Sequence, residues 1–180
     1  MLYLKEANPA DWKKEYRAVS QMPYYETGFG NRFYGYTADR FREQGIPWLL
    51  DSSEGVNLKE DRVPETYFFL WDDDEIVGLF KIRHYLNDDL REGAGHIGYG
   101  ILESYRNKGY ATAGLALAIE KCRQIIREDE IYLAAYSFNI PSIRVMLANG
   151  ARIVGEKDGV TFTRISLNRQ EGTDNESHKD

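Results

Sequence analysis

The pattern of hydrophobic and polar positions divides the first half of the chain into short helices, strands and one irregular segment. Trp12, Tyr16 and Val19 recur at helical spacing and would form the inner face of one helix, with Asn8 as its cap. Thr37 is expected to cap a second helix. The predicted elements are a strand over 2–4, a helix over 9–21, a helix over 37–51 with a break near Gly45 and Pro47, and a strand hairpin over 67–71 and 76–85.

An aromatic segment over 23–36 separates the two predicted helices. Six aromatic residues alternate there with three glycines, a composition too rich in glycine for a helix and too irregular for a strand. We therefore predict a structured loop. Two interpretations remain open: the loop forms one wall of a substrate pocket, or its aromatic side chains only pin it to the core.

The second half of the chain is organised around one strand and the helix that follows it. Ile97, Tyr99 and Ile101 fall on one face of the predicted strand, while Gly98 and Gly100 leave the other face almost bare. Two glycines inside a strand mark a bulge, or a place where another group approaches the backbone closely. The strand is therefore a candidate binding edge.

The turn after this strand leads into a helix predicted over 109–127. Leu115 and Cys122 belong to its apolar face. Its first turn holds a glycine and small residues and no acidic side chain, so its unpaired amide groups are free to hold an anion. A short apolar strand over 131–135 follows, and the intervening helix predicts a parallel crossover unit.

The last elements complete a single domain over 1–167. They are a helix over 142–148 with Pro141 in its first turn and Gly150 after its end, and strands over 151–155 and 160–167. The polar segment 168–180 lacks apolar periodicity and is predicted to be disordered.

Composition and charge exclude several classes of function. The net charge of −6, of which −2 lies beyond residue 167, is unlike that of a general nucleic-acid binder. No stretch is apolar enough to span a membrane, and Lys5 and Glu6 stand where a signal peptide would be apolar, so we expect a cytoplasmic protein. The single Cys122 is expected to be a packed structural thiol. The acids over 72–75 lack the ligand spacing of a calcium loop, and no metal site is predicted.

Two local motifs, together with the order of elements, resemble the GNAT superfamily of acetyl-CoA-dependent N-acetyltransferases. The first, Arg106-Asn107-Lys108-Gly109-Tyr110-Ala111, matches the family's loop of Arg or Gln, two residues, Gly, one residue, then Gly or Ala. The second, Asn139-Ile140-Pro141-Ser142 followed by Gly150, resembles the family's Asn-x-x-Ser helix. The resemblance covers about 76–167, and the segments 81–84 and 96–101 are similar to a bacterial subgroup of predicted acetyltransferases. It implies the GNAT fold, a mixed and mostly antiparallel α/β sheet splayed between two parallel central strands and flanked by helices.

The resemblance also implies which residues would hold acetyl-CoA. Backbone amides from Arg106 to Ala111 would wrap the diphosphate of coenzyme A, and Thr112 would add its hydroxyl. Ile101 would pair its backbone with the pantetheine arm, and the Tyr99 amide would face the thioester oxygen as an oxyanion donor. The implied cofactor-binding residues are Tyr99, Ile101, Arg106, Asn107, Lys108, Gly109, Tyr110, Ala111, Thr112, Asn139 and Ser142.

Asn139 and Ser142 have two compatible interpretations. The resemblance implies that they contact the pantetheine or order the splay of the strands. From the residues alone they are also suited to cap the last helix.

The groups for proton transfer depart from the family pattern. Gly95 stands where the family often has a glutamate, so the neighbouring His96 is the first candidate base and His84 the second. Met146 stands where many members have a tyrosine acid. Another hydroxyl, such as that of Tyr136, would then have to act, or the thiolate leaves unassisted.

These observations predict acetyl transfer from acetyl-CoA to a primary amine by direct transfer in a ternary complex. The acceptor would be a small molecule or a peptide, and the chain could assemble as a homodimer. The missing glutamate and tyrosine keep a second function open, a non-catalytic acyl-CoA-binding sensor or interaction module.

Overall fold

A computed structural model describes residues 1–167, and the predicted disordered tail over 168–180 lies outside the described residues. The elements in chain order are β1 (Leu2–Glu6), α1 (Trp12–Ser20), β2 (Tyr25–Glu26), β3 (Phe29–Gly30), α2 (Ala38–Arg40), α3 (Ile46–Glu54), β4 (Glu65–Asp72), β5 (Glu75–Arg83), α4 (Asp88–Arg91), β6 (Ile97–Ile101), α5 (Tyr110–Ile125), β7 (Glu130–Tyr136), α6 (Ile140–Ala148), β8 (Arg152–Lys157) and β9 (Val160–Ser166).

The strands form two main sheets that meet at one point. One has the order β1-β4-β5-β6 and the other β7-β9-β8, and neighbouring strands in both are antiparallel. The two sheets touch where Gly95, just before β6, bridges to Leu133 of β7. From this bridge β6 and β7 both continue into the walls of one cleft. The predicted splay between the two central strands is therefore present, and α5 connects them.

The sheet around β4 is covered by helices on both faces, which explains the continuous apolar sequence of this strand. Phe68 and Leu70 pack in the core under α5 and α6, whereas Phe69 and Trp71 pack in the core under α1 and α3. Gly114 lets α5 approach closely, since a Cβ atom there would lie 2.4 Å from Cζ of the Phe80 ring. β6 packs against the first of these cores, and within residues 1–167 its outer edge forms no ladder with another strand.

The two predicted N-terminal helices differ from expectation in detail. The first begins at Trp12, because the Asn8 side chain accepts hydrogen bonds from the Ala10 and Asp11 amides at 3.0 and 3.2 Å and forms a turn ahead of the helix. Thr37 does cap the second helix, accepting from the Arg40 amide at 3.2 Å. The predicted break takes the form of a π-helical turn over Phe41–Gly45, just ahead of α3.

The described residues give three further results. Cys122 is fully buried, and burial raises the pKa of its thiol to about 12, as expected of a packed structural thiol. No helix within 1–167 is both long and apolar enough to cross a membrane. Nor do His, Cys, Asp and Glu side chains within 1–167 cluster in threes or more at metal-binding distances.

Candidate active site

The diverging strands β6 and β7 enclose a cleft of about 1400 Å³. One half of the cleft is formed by the loop over 106–112 and the start of α6. The other half is formed by β5, the end of α1 and the hairpin of β2 and β3. We call these the cofactor half and the hairpin half.

The edge strand β6 presents to the cleft backbone groups that its ladder with β5 does not use. The Arg83 amide donates to the His96 carbonyl at 2.8 Å, which makes these two residues a hydrogen-bonded pair at the start of the β5–β6 ladder. Hydrogen-bonded and non-hydrogen-bonded pairs alternate along an antiparallel ladder. By the observed register, Tyr99 and Ile101 are in non-hydrogen-bonded pairs, so their amides and carbonyls point away from β5. Both residues line the cleft.

The loop after β6 presents a run of free amides. Asn107 and Gly109 have left-handed backbones, with φ of 60° and 83°, and Gly109 is the N-cap of α5. Within the described chain, the amides of residues 107 to 112 have no hydrogen-bond acceptor, whereas the Ala113 amide donates to the Gly109 carbonyl. Successive free amides at a helix N-terminus favour a negatively charged ligand.

Two basic side chains of this loop have different environments. Arg106 lines the cleft, donates from Nε to the Ile101 carbonyl at 3.1 Å, and forms a two-pronged ion pair with Glu26 at 3.1 and 2.5 Å. Lys108 turns away and donates to the Ser104 carbonyl at 3.0 Å. Among the predicted loop residues, the Lys108 side chain is thus the one that the structure does not bring to the cleft.

The start of α6 faces β6 across the cleft. The Asn139 side chain caps the helix by accepting from the Ser142 amide at 3.3 Å, as the residue types predict. The Ser142 hydroxyl is 2.8 Å from the hydroxyl of Tyr99, whose ring stacks on Phe80. Burial raises the pKa of Tyr99, so this hydroxyl keeps its proton at neutral pH.

His96 does not reach the cleft. Its side chain is fully buried, Nδ1 accepts from the Tyr132 amide at 2.9 Å, and Nε2 lies 3.0 Å from the Glu128 carboxylate. Because Nδ1 accepts a hydrogen bond, the ring proton is assigned to Nε2, which donates to Glu128. Burial lowers the pKa of His96, against the opposing effect of Glu128. His96 therefore sits at the junction of the two sheets, where its backbone amide also donates to the Tyr132 carbonyl at 2.8 Å.

The other predicted proton-transfer groups are also located. His84 pairs with the Thr66 hydroxyl at 2.8 Å outside the cleft. Met146 lines the cleft wall, with its sulfur accepting from the buried Thr163 hydroxyl at 3.4 Å. Tyr136 does reach the cleft, where its hydroxyl lies 2.8 Å from that of Tyr25.

The hairpin half contains residues that the sequence pattern did not single out. Thr27 and Gly28 both have positive φ and form the two-residue turn between β2 and β3. The Thr-Gly pair between aromatic residues was the available signal for this hairpin. The aromatic segment satisfies both interpretations: Phe33 is buried in the core, whereas Tyr25, Phe29 and other members line the cleft.

Comparison with known proteins identifies the family. The model described as the Acetyltransferase (GNAT) family matches residues 23–151, most of the chain. The chain therefore belongs to the GNAT family of acetyltransferases. No curated protein sequence matches significantly.

Solved structures with the same fold include several acetyltransferases. The ribosomal-protein-S5-alanine acetyltransferase from Vibrio fischeri superimposes with a TM-score of 0.66 at 18% identity, covering 94% of this chain and 95% of that one. An aminoglycoside acetyltransferase in complex with coenzyme A gives 0.63 at 16% identity, covering 92% and 95%. Spermidine N-acetyltransferase from Vibrio cholerae, in complex with CoA and spermine, gives 0.59 at 16% identity, also covering 92% and 95%. The predicted GNAT fold is confirmed.

Proposed function

We propose that this chain transfers an acetyl group from acetyl-CoA to a primary amine by direct transfer in a ternary complex. The observation that carries the proposal is the run of free amides over 107–112, which adjoins the open edge of β6 within a single cleft. The first feature suits a diphosphate, and the second suits an extended amide-containing chain. Coenzyme A contains both groups, and the thioester of acetyl-CoA supplies the activated acetyl group.

The cofactor half is suited to hold this molecule. The free amides and the positive end of the α5 dipole would bind the diphosphate, with Arg106 and the Thr112 hydroxyl at the same place. Ile101 would exchange backbone hydrogen bonds with the pantetheine amides. Its carbonyl is now bonded to Arg106 Nε, so we expect the Arg106 side chain to turn from Ile101 toward the diphosphate on binding.

Tyr99 would act through its backbone amide. That amide points away from β5 toward the cleft, and it would donate to the thioester oxygen as negative charge develops there. During transfer a bond forms between the amine nitrogen and the acetyl carbon, while the carbon–sulfur bond breaks. The amine loses a proton and the departing thiolate gains one.

The proposed proton routes use solvent and hydroxyls. An alkyl ammonium has a pKa of about 10.4 in water, so the acceptor must lose a proton before it attacks. No histidine among the described residues lines the cleft, and the proton would leave through water toward the exposed rim carboxylates Glu92 and Glu103. Tyr136 and the Tyr99–Ser142 pair supply hydroxyls for the thiolate. The role of His96 as a base stays a prediction, and its side chain has no contact with the cleft.

The names of the structural relatives support an amine as the acceptor. By these names, the three proteins acetylate spermidine, aminoglycosides and an alanine of a ribosomal protein. Small-molecule and peptide amines are therefore both in the proposed range.

One observation favours the second function, an acyl-CoA-binding sensor without turnover. The family's glutamate and tyrosine are replaced by Gly95 and Met146, and the nearby His96 is buried away from the cleft. A sensor would need the cofactor half alone.

Two measurements on the full chain test these functions. Acetyl-CoA at about 1 mM should raise the melting temperature, because a ligand that binds the folded state stabilises it. Thiol release from acetyl-CoA is then followed across amines, amino acids, polyamines and peptides. Absence of a thermal shift contradicts cofactor binding. A clear shift with no thiol release for any acceptor favours the sensor.

A further inference from the structure

One lysine in the hairpin half has no anionic partner within the described part of the chain. Lys81 lies on β5, is half-buried and lines the cleft. Among the described residues, no oxygen atom forms a hydrogen bond or ion pair with its Nζ. Buried charges in proteins are normally paired, because an uncompensated charge loses its hydration without replacement. An unpaired ammonium that opens into a cleft is therefore a candidate group for binding an anionic ligand.

The backbone directs this ammonium across the bare face of β6. Lys81 pairs with Gly98 in the ladder, and a Cβ atom on Gly98 would lie 2.8 Å from Lys81 Cε. A Cβ atom on Gly100 would likewise lie 3.3 Å from Cδ1 of the Phe29 ring. Lys81 Nζ is 5.3 Å from the centre of that ring. The two glycines thus make room for the lysine stem and the aromatic ring. The ammonium lies between β6 and the hairpin.

The charges nearest to Lys81 do not neutralise it. Glu65 is the nearby carboxylate, but it is shared by Arg83 Nε at 3.7 Å and by the Tyr67 hydroxyl at 3.1 Å. Arg83 also donates to the Gly95 carbonyl at 2.9 Å. Burial lowers the pKa of Lys81, which Glu65 partly opposes and Arg83 and Arg62 reinforce. This corner of the cleft therefore has an excess of positive charge.

We propose that Lys81 binds a carboxylate of the acceptor, so that the acceptor is an amino-carboxylate rather than a polyamine. This inference rests on the proposed acetyl transfer. Gly98, the ladder partner of Lys81, directly precedes Tyr99, the proposed oxyanion donor, and neighbouring strand residues are about 3.3 Å apart. A carboxylate bound at Lys81 and an amine attacking at Tyr99 would be neighbours across β6, which fits an acceptor whose carboxylate lies within a few bonds of its reacting nitrogen, as in an amino acid. A polycation would meet electrostatic repulsion at the same place.

The test compares each amino acid with its carboxamide as acceptor, by thiol release at about pH 8 with the full chain. The carboxamide has the less basic amine, so more of it is neutral at this pH, whereas the neutral amine of the acid is the stronger nucleophile. These two effects oppose each other and are the same in every variant, so a change of the preference in a Lys81 variant reports the carboxylate contact. We expect kcat/KM to favour the acid by about tenfold or more in the active pairs, the usual effect of a hydrogen bond to a charged group.

Three variants separate charge recognition from other roles of the lysine. Lys81→Gln should abolish the preference, since only the acid loses a partner. Lys81→Arg should retain most of the preference. Lys59→Gln, which changes an exposed lysine in the loop before β4, should leave the preference unchanged. Because the preference is a ratio measured within one variant, partial misfolding does not alter it.

The outcomes distinguish this inference from the proposed function. If the carboxamides are acetylated with the same kcat/KM as the corresponding acids, Lys81 does not bind a carboxylate of the acceptor. The proposed acetyl transfer would still stand. A preference that persists in Lys81→Gln overturns the inference. An equal loss of kcat/KM on acid and carboxamide in that variant leaves the ratio unchanged and overturns the inference in the same way. If no amine of either series supports thiol release from acetyl-CoA, both proposals are overturned.

Discussion

The two halves of the cleft offer different kinds of chemical group to a ligand. The cofactor half offers backbone amides of residues 107 to 112 and the open edge of β6, and its geometry depends on local backbone conformation. The hairpin half offers side chains, including Lys81, Phe29 and Tyr25, from segments distant in sequence. Backbone recognition tolerates many side chains, so a short motif can report it. Side-chain recognition depends on which residues the fold brings together.

The largest expected effect concerns the backbone amide of Tyr99. This amide is not used by the β5–β6 ladder, so proline can replace the residue without removing a ladder hydrogen bond. We expect Tyr99→Pro to lower kcat by about 100-fold relative to Tyr99→Ala, because both variants lack the side chain but only proline lacks the donor. Steady-state kinetics and melting curves of the two variants provide the comparison. Equal kcat values in two folded variants would exclude the amide as oxyanion donor.

A second effect should be confined to the cofactor half. Gly109 and Gly150 both have φ of 83° with open space where a side chain would project, but only Gly109 lines the cleft. A left-handed backbone costs a side-chain-bearing residue about 1–2 kcal/mol. Gly109→Val should therefore weaken acetyl-CoA binding by about tenfold, whereas Gly150→Val should lose similar stability and keep its affinity. Calorimetric titration measures this difference. Equal affinities of the two variants for acetyl-CoA would show that the loop over 106–112 does not bind the cofactor.

The junction of the two sheets, behind the cleft, should be sensitive to acid. Because the pKa of buried His96 is lowered from its usual 6.5, the unfolded chain binds more protons below that pH, and the free energy of unfolding falls as the pH drops. Burial tends to raise the pKa of Glu128, but hydrogen bonds from His96 and the Leu86 amide lower it overall, which adds to the acid loss. Buried Glu15, whose pKa burial raises to about 8, acts in the opposite direction, since the folded state binds more protons between its usual 4.5 and 8.

The His96→Asn variant isolates the histidine contribution to this balance. An asparagine oxygen can still accept from the Tyr132 amide but does not titrate. Between about pH 7 and pH 5, denaturant unfolding should show a larger loss of stability for wild type than for this variant. An identical loss in both proteins would show that His96 does not contribute to acid sensitivity.

The smallest expected effect concerns the contact between the halves. The ion pair of Glu26 with Arg106 is partly exposed, and such pairs contribute up to about 1 kcal/mol. Glu26→Gln should free Arg106 for the diphosphate and tighten acetyl-CoA binding by up to about fivefold. Glu43→Gln, which removes an exposed ion pair with Arg42 outside the cleft, is the matched control. Weaker binding in Glu26→Gln would mean that the ion pair orders the site.

Local sequence determined most of the longer elements and the backbone-based half of the site, but not the short hairpin of β2 and β3, for which the sequence predicts a loop. The paired strands of β4 and β5, the cap at Thr37 and the left-handed Gly109 ahead of α5 each follow from a few neighbouring residues. Loop residues such as Asn107 and Thr112 lie together in the cleft for the same reason. Their positions depend on backbone conformation, which short-range interactions set.

Tertiary structure decided the rest, because burial and pairing between distant segments are not encoded by spacing. His96 follows the glycine where the family often has a carboxylate, but the packing of β7 and the Glu128 carboxylate enclose it. In the sequence, Lys81 is one polar residue of a mostly apolar strand. The bare face of β6 and the hairpin over it leave its ammonium in the cleft without an anionic partner among residues 1–167. The sequence therefore indicated where a cofactor is expected to bind, whereas the fold determined which side chains line the hairpin half of the cleft.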